Sequence, residues 1–405
     1  MAGRPMIAPA LDAQRVIVVG AGPAGLTAAR WLRAAGVGRV TVLEREPEPG
    51  GVPRHTDHLG YGIRDLRRLT TGPRYARRLV AAAERAGASI RCTTTVIGIE
   101  HAGDELAVTL ADGEVLFAGA VVLATGVRER PRSARLVPGD RPRGVFTTGS
   151  VQQLTALHGR SVGTRAVVVG AEHVSFSAIW SLRHGGCRTV AMVTELPRHQ
   201  TYAPLRWASA SRFRVPVHTG VGVADIVGRG RVEAVVLTDG TRIACDTVVF
   251  TGDWIPDHEL ARRTGTTMTP AKGPAIDASF RTSQEGVFAI GNLVHPAETA
   301  DRCGLDGKAV ADAVVTWLTR RHWPESVPAI EVEAPLRWAA HTAAGITVRT
   351  AAFTRGRLQV EVDGAAVFTD RRRRFVPNRS IMLPRRALQP TATNASHRVV
   401  VRIVR

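Results

Sequence analysis

Apolar positions along the chain fall into short unbroken runs that end on glycine or on an acid, with helix-patterned stretches between them. The first such unit is the most informative. Val16-Ile17-Val18-Val19 enters Gly20-Ala21-Gly22-Pro23-Ala24-Gly25, a helix-patterned segment follows, and Val40-Thr41-Val42-Leu43 closes on Glu44. A strand entering G-x-G-x-x-G, a helix and a second strand ending in an acid form a βαβ unit suited to an ADP-containing dinucleotide. Gly20 permits the tight turn, Gly22 lets backbone approach a pyrophosphate, and Gly25 lets helix pack close to strand. Glu44 is placed to accept hydrogen bonds from a ribose diol.

Further along, Asp65 to Ala86 reads as a helix and Ala88 to Ile99 as β-rich. Leu106 to Leu110 and Val115 to Phe117 flank Asp112-Gly113, a hairpin signal. Ala120 to Leu123 is an apolar strand ending on Ala124-Thr125-Gly126. The order then begins again: Ala166 to Val169 runs into Gly170, Phe176 to His184 is helical, Thr189 to Val193 ends near Glu195, Asp239-Gly240 marks a hairpin, and Asp246 to Gly252 is a strand. This is one dinucleotide-binding plan repeated at a period of roughly 150 residues.

Composition narrows the class. The chain has 405 residues, enough for two or three domains, and 44% hydrophobic content. Met1 to Arg15 lacks an apolar stretch of signal-peptide length, and no run reaches about 18 apolar residues, so the expectation is a soluble cytoplasmic protein. Cys92, Cys187, Cys245 and Cys303 are far apart, which leaves no zinc, iron–sulfur or CxxC spacing and no metal assignment. The formal charge of +19 invites a nucleic-acid reading, but 52 of the 54 basic residues are Arg and only Lys272 and Lys308 are Lys. That bias is spread along the chain and suits GC-rich coding better than a nucleic-acid interface. Residues 331–405 hold 14 Arg and 5 acids, including the run Arg371 to Arg374, which reads as a solvated strand or loop and as the candidate docking surface for an acidic partner.

The repeat and its punctuation resemble the two-dinucleotide-binding-domain flavoproteins, the group of thioredoxin reductase and other pyridine-nucleotide disulfide oxidoreductases. The resemblance covers roughly residues 14 to 320 and rests on Gly20 to Glu44, Gly50-Gly51, Ala124-Thr125-Gly126, Pro138-Gly139, Thr251-Gly252-Asp253 and Gly286 to Asn292. It implies an α/β fold with two Rossmann-like domains, thioredoxin-reductase-like, and noncovalent FAD. The FAD domain would be split, 1–145 and 266–325, around a second dinucleotide-binding domain at 146–265, with a small β-rich domain at 330–405. By the same resemblance Gly20, Gly22, Pro23, Ala24 and Gly25 face the pyrophosphate, Glu44 and Arg45 the adenosine ribose, and the Val96 backbone the adenine. Gly51, Val52, Ala124, Thr125, Gly126 and Gly291 line the nucleotide. Asn292, where the family carries Asp, holds the ribityl chain, and Thr299 and Ala300 bring a helix N-terminus to the flavin pyrimidine.

The inserted domain departs from the pattern. Its fingerprint reads Gly170-Ala171-Glu172-His173-Val174-Ser175, so a carboxylate stands where backbone should meet a pyrophosphate. NAD(P)H binding is thereby disfavoured, although Glu195 still suits a ribose diol. The segment after Gly51 carries histidines in place of paired cysteines, so disulfide reduction by the usual relay is excluded. Gly51 to His55, Thr71 to Ala76, Gly170 to Ser175, Pro197 to Pro204 and Ala297 to Asp301 further resemble the flavoprotein subunits of opine oxidases, hydrogen cyanide synthase and sarcosine-oxidase-type α subunits. That likeness implies oxidation of a C–N bond of an amino or imino acid or amine, with electrons passed to a partner subunit or external acceptor. His55, His58 and His173 are then the candidate bases, since a neutral imidazole titrates in the useful range, and Tyr61 and Tyr202 are weaker candidates for carboxylate or flavin contacts. Two alternatives stand beside it: an NAD(P)H-dependent flavin reductase feeding a ferredoxin-like or oxygenase partner, and a non-catalytic FAD-bound assembly subunit.

Overall fold

The computed structural model describes residues 10–387 and 398–405. The first nine residues of the N-terminal stretch, and 388–397 of the last domain, lie outside the described residues. Five parallel strands form the first sheet in the order Val287–Ala289, Ala120–Leu123, Arg15–Val19, Arg39–Leu43, Ser89–Arg91. Strand Val287–Ala289 reaches its edge from far along the chain, after the whole inserted segment. Residues Val16, Val18, Val40, Val42, Val121, Val122 and Phe288 are all at most 1% exposed, because helices cover the sheet. Two of these, Pro23–Ala34 and Ala300–Arg320, pack closely on one another: a Cβ placed on Gly307 would lie 2.2 Å from the Ala24 carbonyl oxygen.

The second sheet repeats the plan with strands Val145–Thr147, Thr247–Phe250, Arg165–Val169, Arg188–Thr194 and Val217–Thr219, again all parallel. Each sheet carries a three-stranded antiparallel flap, Val96–Ala102 to Val115–Ala118 in the first and Val223–Val227 to Arg242–Ala244 in the second. Both flaps turn on the Asp-Gly pairs read from the sequence. An antiparallel ribbon, Val127–Glu129 against Trp254–Pro256, joins the two units.

One element differs from expectation. The helix read from Asp65 begins only at Gly72 and runs to Arg85. Thr70–Thr71 instead pairs with Leu59–Tyr61 as a small hairpin. Pro73 occupies the first helical turn, where its missing N–H costs nothing, and the β-branched pair before it favours extended backbone. The Asp65 carboxylate accepts from the Tyr75 hydroxyl at 2.5 Å, pinning the hairpin to the helix.

Residues beyond 330 form two small sheets over a core that includes Ile346, Val348, Leu358, Phe375, Leu383 and Val401. Arg373–Phe375 is a strand beside Thr354–Val362, and Arg373 is ion-paired with Asp370, so the second half of the arginine run lies in a strand while Arg371 and Arg372 are exposed ahead of it. This domain touches both others. Arg349 pairs with Glu298 at 3.0 Å, while Arg379 donates to the Gln200 and Thr201 carbonyls at 2.7 and 2.5 Å. It braces the inserted unit against the first.

The Gly307 approach generates a prediction. Gly307→Val should force the two helices apart, cost about 1–3 kcal/mol by overpacking, and lower the thermal midpoint measured by circular dichroism. An unchanged midpoint would show that the helix pair yields without strain.

Candidate active site

The first fingerprint is built by close backbone approach. Gly20 has φ +106°, and a Cβ there would lie 2.5 Å from the Ala124 carbonyl oxygen; one on Gly25 would lie 2.0 Å from the Gly20 oxygen. Gly22 is the exception, since a Cβ there meets nothing within 4 Å. It is the N-cap of helix Pro23–Ala34 and provides no side-chain cap, so the first-turn N–H groups of Ala24 and Gly25 stay available. Open space in front of an uncapped helix N-terminus is what a pyrophosphate requires. Gly51, with φ +62°, packs against Gly22, and Gly50 N donates to the Ala21 oxygen at 2.8 Å. Gly291 closes the other side, its added Cβ falling 2.9 Å from that of Ala24.

Glu44 is 8% exposed and accepts from Ala21 N at 2.8 Å and Glu46 N at 2.9 Å. Those bonds fix the carboxylate and leave lone pairs on both oxygens for a ribose diol. Val96 opens the neighbouring flap strand, beside Thr94, whose N–H donates to the Glu44 carbonyl. Two expected contacts are otherwise engaged. The Arg45 guanidinium pairs with Asp257 at 2.9 Å, and the Thr125 hydroxyl donates to the Asp257 carbonyl at 2.7 Å. Both tie the first sheet to the joining ribbon. Val52 is 54% exposed beside the turn. The residues present fit FAD, whose ADP half Gly22, Ala24, Gly25 and Glu44 would hold.

Asn292 explains its own departure from Asp. Its Oδ1 accepts from Glu298 N at 2.8 Å, and its Nδ2 donates to the Glu298 oxygen at 3.2 Å. A carboxylate could not make the second bond. The amide therefore pins the turn that delivers Thr299, the N-cap of helix Ala300–Arg320, which again offers no side-chain cap. The Asp301 carboxylate, in the first turn, is ion-paired with Arg64 at 3.0 Å, leaving the Ala300 N–H and the helix dipole to meet charge on a bound ring system.

His58 and His173 line a seam between the turn after Gly51 and helix His173–His184, while His55 sits beside Gln152. His58 Nε2 lies 2.5 Å from the Ser177 hydroxyl, and Ser177 and His173 share one helix face. His55 is 6% exposed near Gln152, with Nδ1 unpartnered among the described residues. His173 Nδ1 contacts the Thr201 hydroxyl at 2.8 Å, its ring lies 4.8 Å from that of Tyr202, and Arg379 covers the same tyrosine ring at 4.2 Å. The expectation that these imidazoles titrate in the useful range is corrected. Burial lowers all three, with help from Arg54 at His55 and from Arg379 and Arg349 at His173, and His55 and His173 fall to about 4. His55 and His173 are therefore neutral, weak bases at pH 7. Tyr61 is pushed up to about 12 by burial, which leaves it a hydrogen-bond donor.

The second fingerprint is closed by its own side chains. Glu172 caps helix His173–His184 in a reciprocal box: its carboxylate accepts from Ser175 N, and Ser175 Oγ accepts from Glu172 N at 3.2 Å. The carboxylate lies so near Gly170 and Gly252 that a Cβ on either would sit 2.9 or 2.8 Å from it. Glu195 is exposed at the next strand end. Sequence reading missed Glu129 and Arg135, which sit in an arginine-rich stretch that matches no motif. Glu129 accepts from Gly149 N at 2.8 Å, and burial, with Glu172 as a nearby like charge, raises its carboxyl to about 7. Arg135 donates to the Thr251 and Gly252 carbonyls at 3.0 and 2.7 Å.

An FAD cradle joined to a second dinucleotide-type unit defines an FAD-dependent oxidoreductase of the thioredoxin-reductase-like fold. The chain belongs to the pyridine nucleotide-disulphide oxidoreductase family, whose profile matches residues 14–322. It is similar to the ferredoxin reductase component of chlorobenzene dioxygenase from Cupriavidus sp. (strain PS12), 28% identical over 69% of this chain and 67% of that protein. It is also similar to an opine oxidase subunit of Rhizobium meliloti, 27% identical over 68% of this chain and 58% of that protein. The T. acidophilum thioredoxin reductase structure shares the fold, with a TM-score of 0.64 at 20% identity, covering 75% of this chain and 98% of that one. All four cysteines are free and three are buried, so the family's eponymous disulfide is absent here. No helix among the described residues is long and apolar enough to cross a membrane.

Two predictions arise from this geometry. Gly22→Leu fills the only open glycine of the first fingerprint and should yield colourless protein, read as the ratio of flavin to protein absorbance; full occupancy would displace the pyrophosphate from this loop. Glu129, with its folded pKa raised from 4.5 to about 7, contributes stability that is complete below pH 4.5 and lost as pH rises through 7. Between pH 5 and 8 the unfolding free energy of the unsubstituted protein, measured with urea, should therefore fall relative to that of Glu129→Gln by about 2 kcal/mol, and a difference independent of pH would refute the raised Glu129 pKa.

Proposed function

We propose that this chain is the flavin-bearing reductase component of a multi-protein electron-transfer system, oxidising NADH and delivering the electrons to a ferredoxin-like carrier. The observation that carries the reading is the pairing of an open FAD cradle with a second nucleotide-binding unit in a chain without a redox disulfide. Bound FAD supplies the exchange between a two-electron donor and one-electron acceptors. The protein's part is to hold it: Gly22, Ala24 and Gly25 at the phosphates, Glu44 at the ribose, and the free N-terminus of helix Ala300–Arg320 where negative charge accumulates. The relatives named as ferredoxin reductase components support the direction of flow. Glu195, exposed at its strand end, favours a ribose diol over a 2′-phosphate, hence NADH over NADPH.

One observation favours a second reading. The Glu172 carboxylate occupies the approach to the second fingerprint, which suits a donor other than a nicotinamide, and the likeness to the opine oxidase protein supports an amino or imino acid in that role. His173, Tyr202 and Arg379 would then form the substrate side of the seam.

Anaerobic stopped-flow spectroscopy decides between them. NADH should bleach the flavin, with NADPH at least about tenfold less effective, and the reduced protein should then reduce an added [2Fe–2S] ferredoxin or a viologen dye. Bleaching by amino or imino acids alone would replace this reading with the second, and bleaching by neither would leave an assembly role.

A further inference from the structure

The two fingerprints share one backbone plan and differ in what stands before the helix. At Gly22 the helix N-terminus is bare and the space ahead of it open. At Glu172 the N-terminus is satisfied from within: the carboxylate accepts from Ser175 N, and Ser175 Oγ, which accepts from Glu172 N, lies 2.6 Å from Thr251 Oγ1. The cap is also buried, Glu172 being 9% exposed and Ser175 fully enclosed. Its capping duty employs only part of the carboxylate. Glu172 Oε1 has no hydrogen-bond partner among the described residues, nor do Glu129 Oε1 and Thr148 Oγ1. A carboxylate held for capping alone would turn its spare oxygen to solvent, because burying it unpaired is unfavourable. Here it points into the wall of a nucleotide-type crevice, against Gly252 at the end of strand Thr247–Phe250.

We infer that Glu172 is an intramolecular mimic of a dinucleotide phosphate: its carboxylate occupies the helix N-terminus in place of the pyrophosphate and sets how tightly the second unit takes a nicotinamide dinucleotide. The argument is one of shared chemistry. A helix N-terminus binds one anionic group well, and a tethered carboxylate competes for it at high effective concentration. Binding therefore requires the side chain to leave, and the affinity observed is the intrinsic affinity reduced by the fraction of time the cap is closed. The approach is not blocked by backbone, since Gly170 and Gly252 keep their small profile around the carboxylate. Removing the side chain should open the crevice rather than collapse it. The penalty is the same for every ligand that needs the crevice, so whole dinucleotides and ADP fragments lose affinity by one common factor.

The inference rests on the proposed nicotinamide-dependent reading, and binding separates it from turnover. The probes are NAD+ and ADP-ribose, titrated by calorimetry into FAD-loaded full-length protein, its Glu172→Gly variant and its Glu172→Gln variant. Glu172→Gln keeps an acceptor for Ser175 N and preserves the helix cap, so it guards against a variant that fails to fold. Flavin content, carried by the other domain, checks all three. The expected result is affinity for both probes at least about tenfold tighter in Glu172→Gly than in the unsubstituted protein, with Glu172→Gln between them. Equal affinities across the three proteins, whether tight or weak, would overturn the inference. If Glu172→Gly binds tightly and NADH still fails to bleach its flavin, the self-cap stands and the NADH-oxidising reading falls. If unsubstituted protein is bleached by micromolar NADH as fast as Glu172→Gly, the reading stands and the self-cap falls.

Discussion

The structure depends on how closely a helix can be laid against the end of a strand. At Gly20, Gly22 and Gly25 the distances leave no room for side chains on two of the three positions, and that contact draws the N-terminus of helix Pro23–Ala34 up to the sheet edge. Everything around it follows from the same approach. Gly50-Gly51 folds onto the loop, Gly291 meets Ala24, and Gly307 lets the closing helix lie against the first. The result is an uncapped positive end facing open space, held by a sheet whose strands are buried on both faces.

The second unit tests what the same scaffold does with different side chains. Four of its five strands and its flap repeat those of the first, and only the edge strand differs, Val145–Thr147 preceding the others in the chain where Val287–Ala289 follows them. Glu172 and Ser175 convert the anion site into a closed cap with no change of backbone plan. Function here is decided by two side chains set on a shared geometry, which is the general relation between a fold and its sites. The C-terminal domain adds a second constraint. By gripping Glu298 through Arg349 and the Gln200-Thr201 backbone through Arg379, it fixes the seam in which His58 and His173 lie.

That seam shows why electrostatics could not be read from residue type. A histidine beside a flavin fingerprint reads as a base in the useful range. In place, His173 is half-buried with two arginines nearby, and both effects favour the neutral ring. Neither arginine is near it in sequence. Glu129 is the converse: an ordinary acid in an arginine-rich stretch becomes a carboxyl that holds its proton near neutrality, because folding buries it near Glu172.

The sequence by itself determined the repeated βαβ plan, the position of the FAD fingerprint, the hairpins at Asp112-Gly113 and Asp239-Gly240, and the want of a redox disulfide. These are local: strand, turn and helix lie within about 30 residues, so residue order specifies their geometry. It also marked Glu172 as an obstacle. Tertiary structure decided the rest. The start of the helix at Gly72 depended on a strand pairing with Leu59–Tyr61, the use of Asn292 on the Glu298 backbone, and the reciprocal cap on the approach of Thr251 from another strand. The protonation of His55, His173 and Glu129 rested on burial and on charges from distant parts of the chain. Such properties belong to no single segment, because desolvation and long-range pairing come into being only when the segments meet.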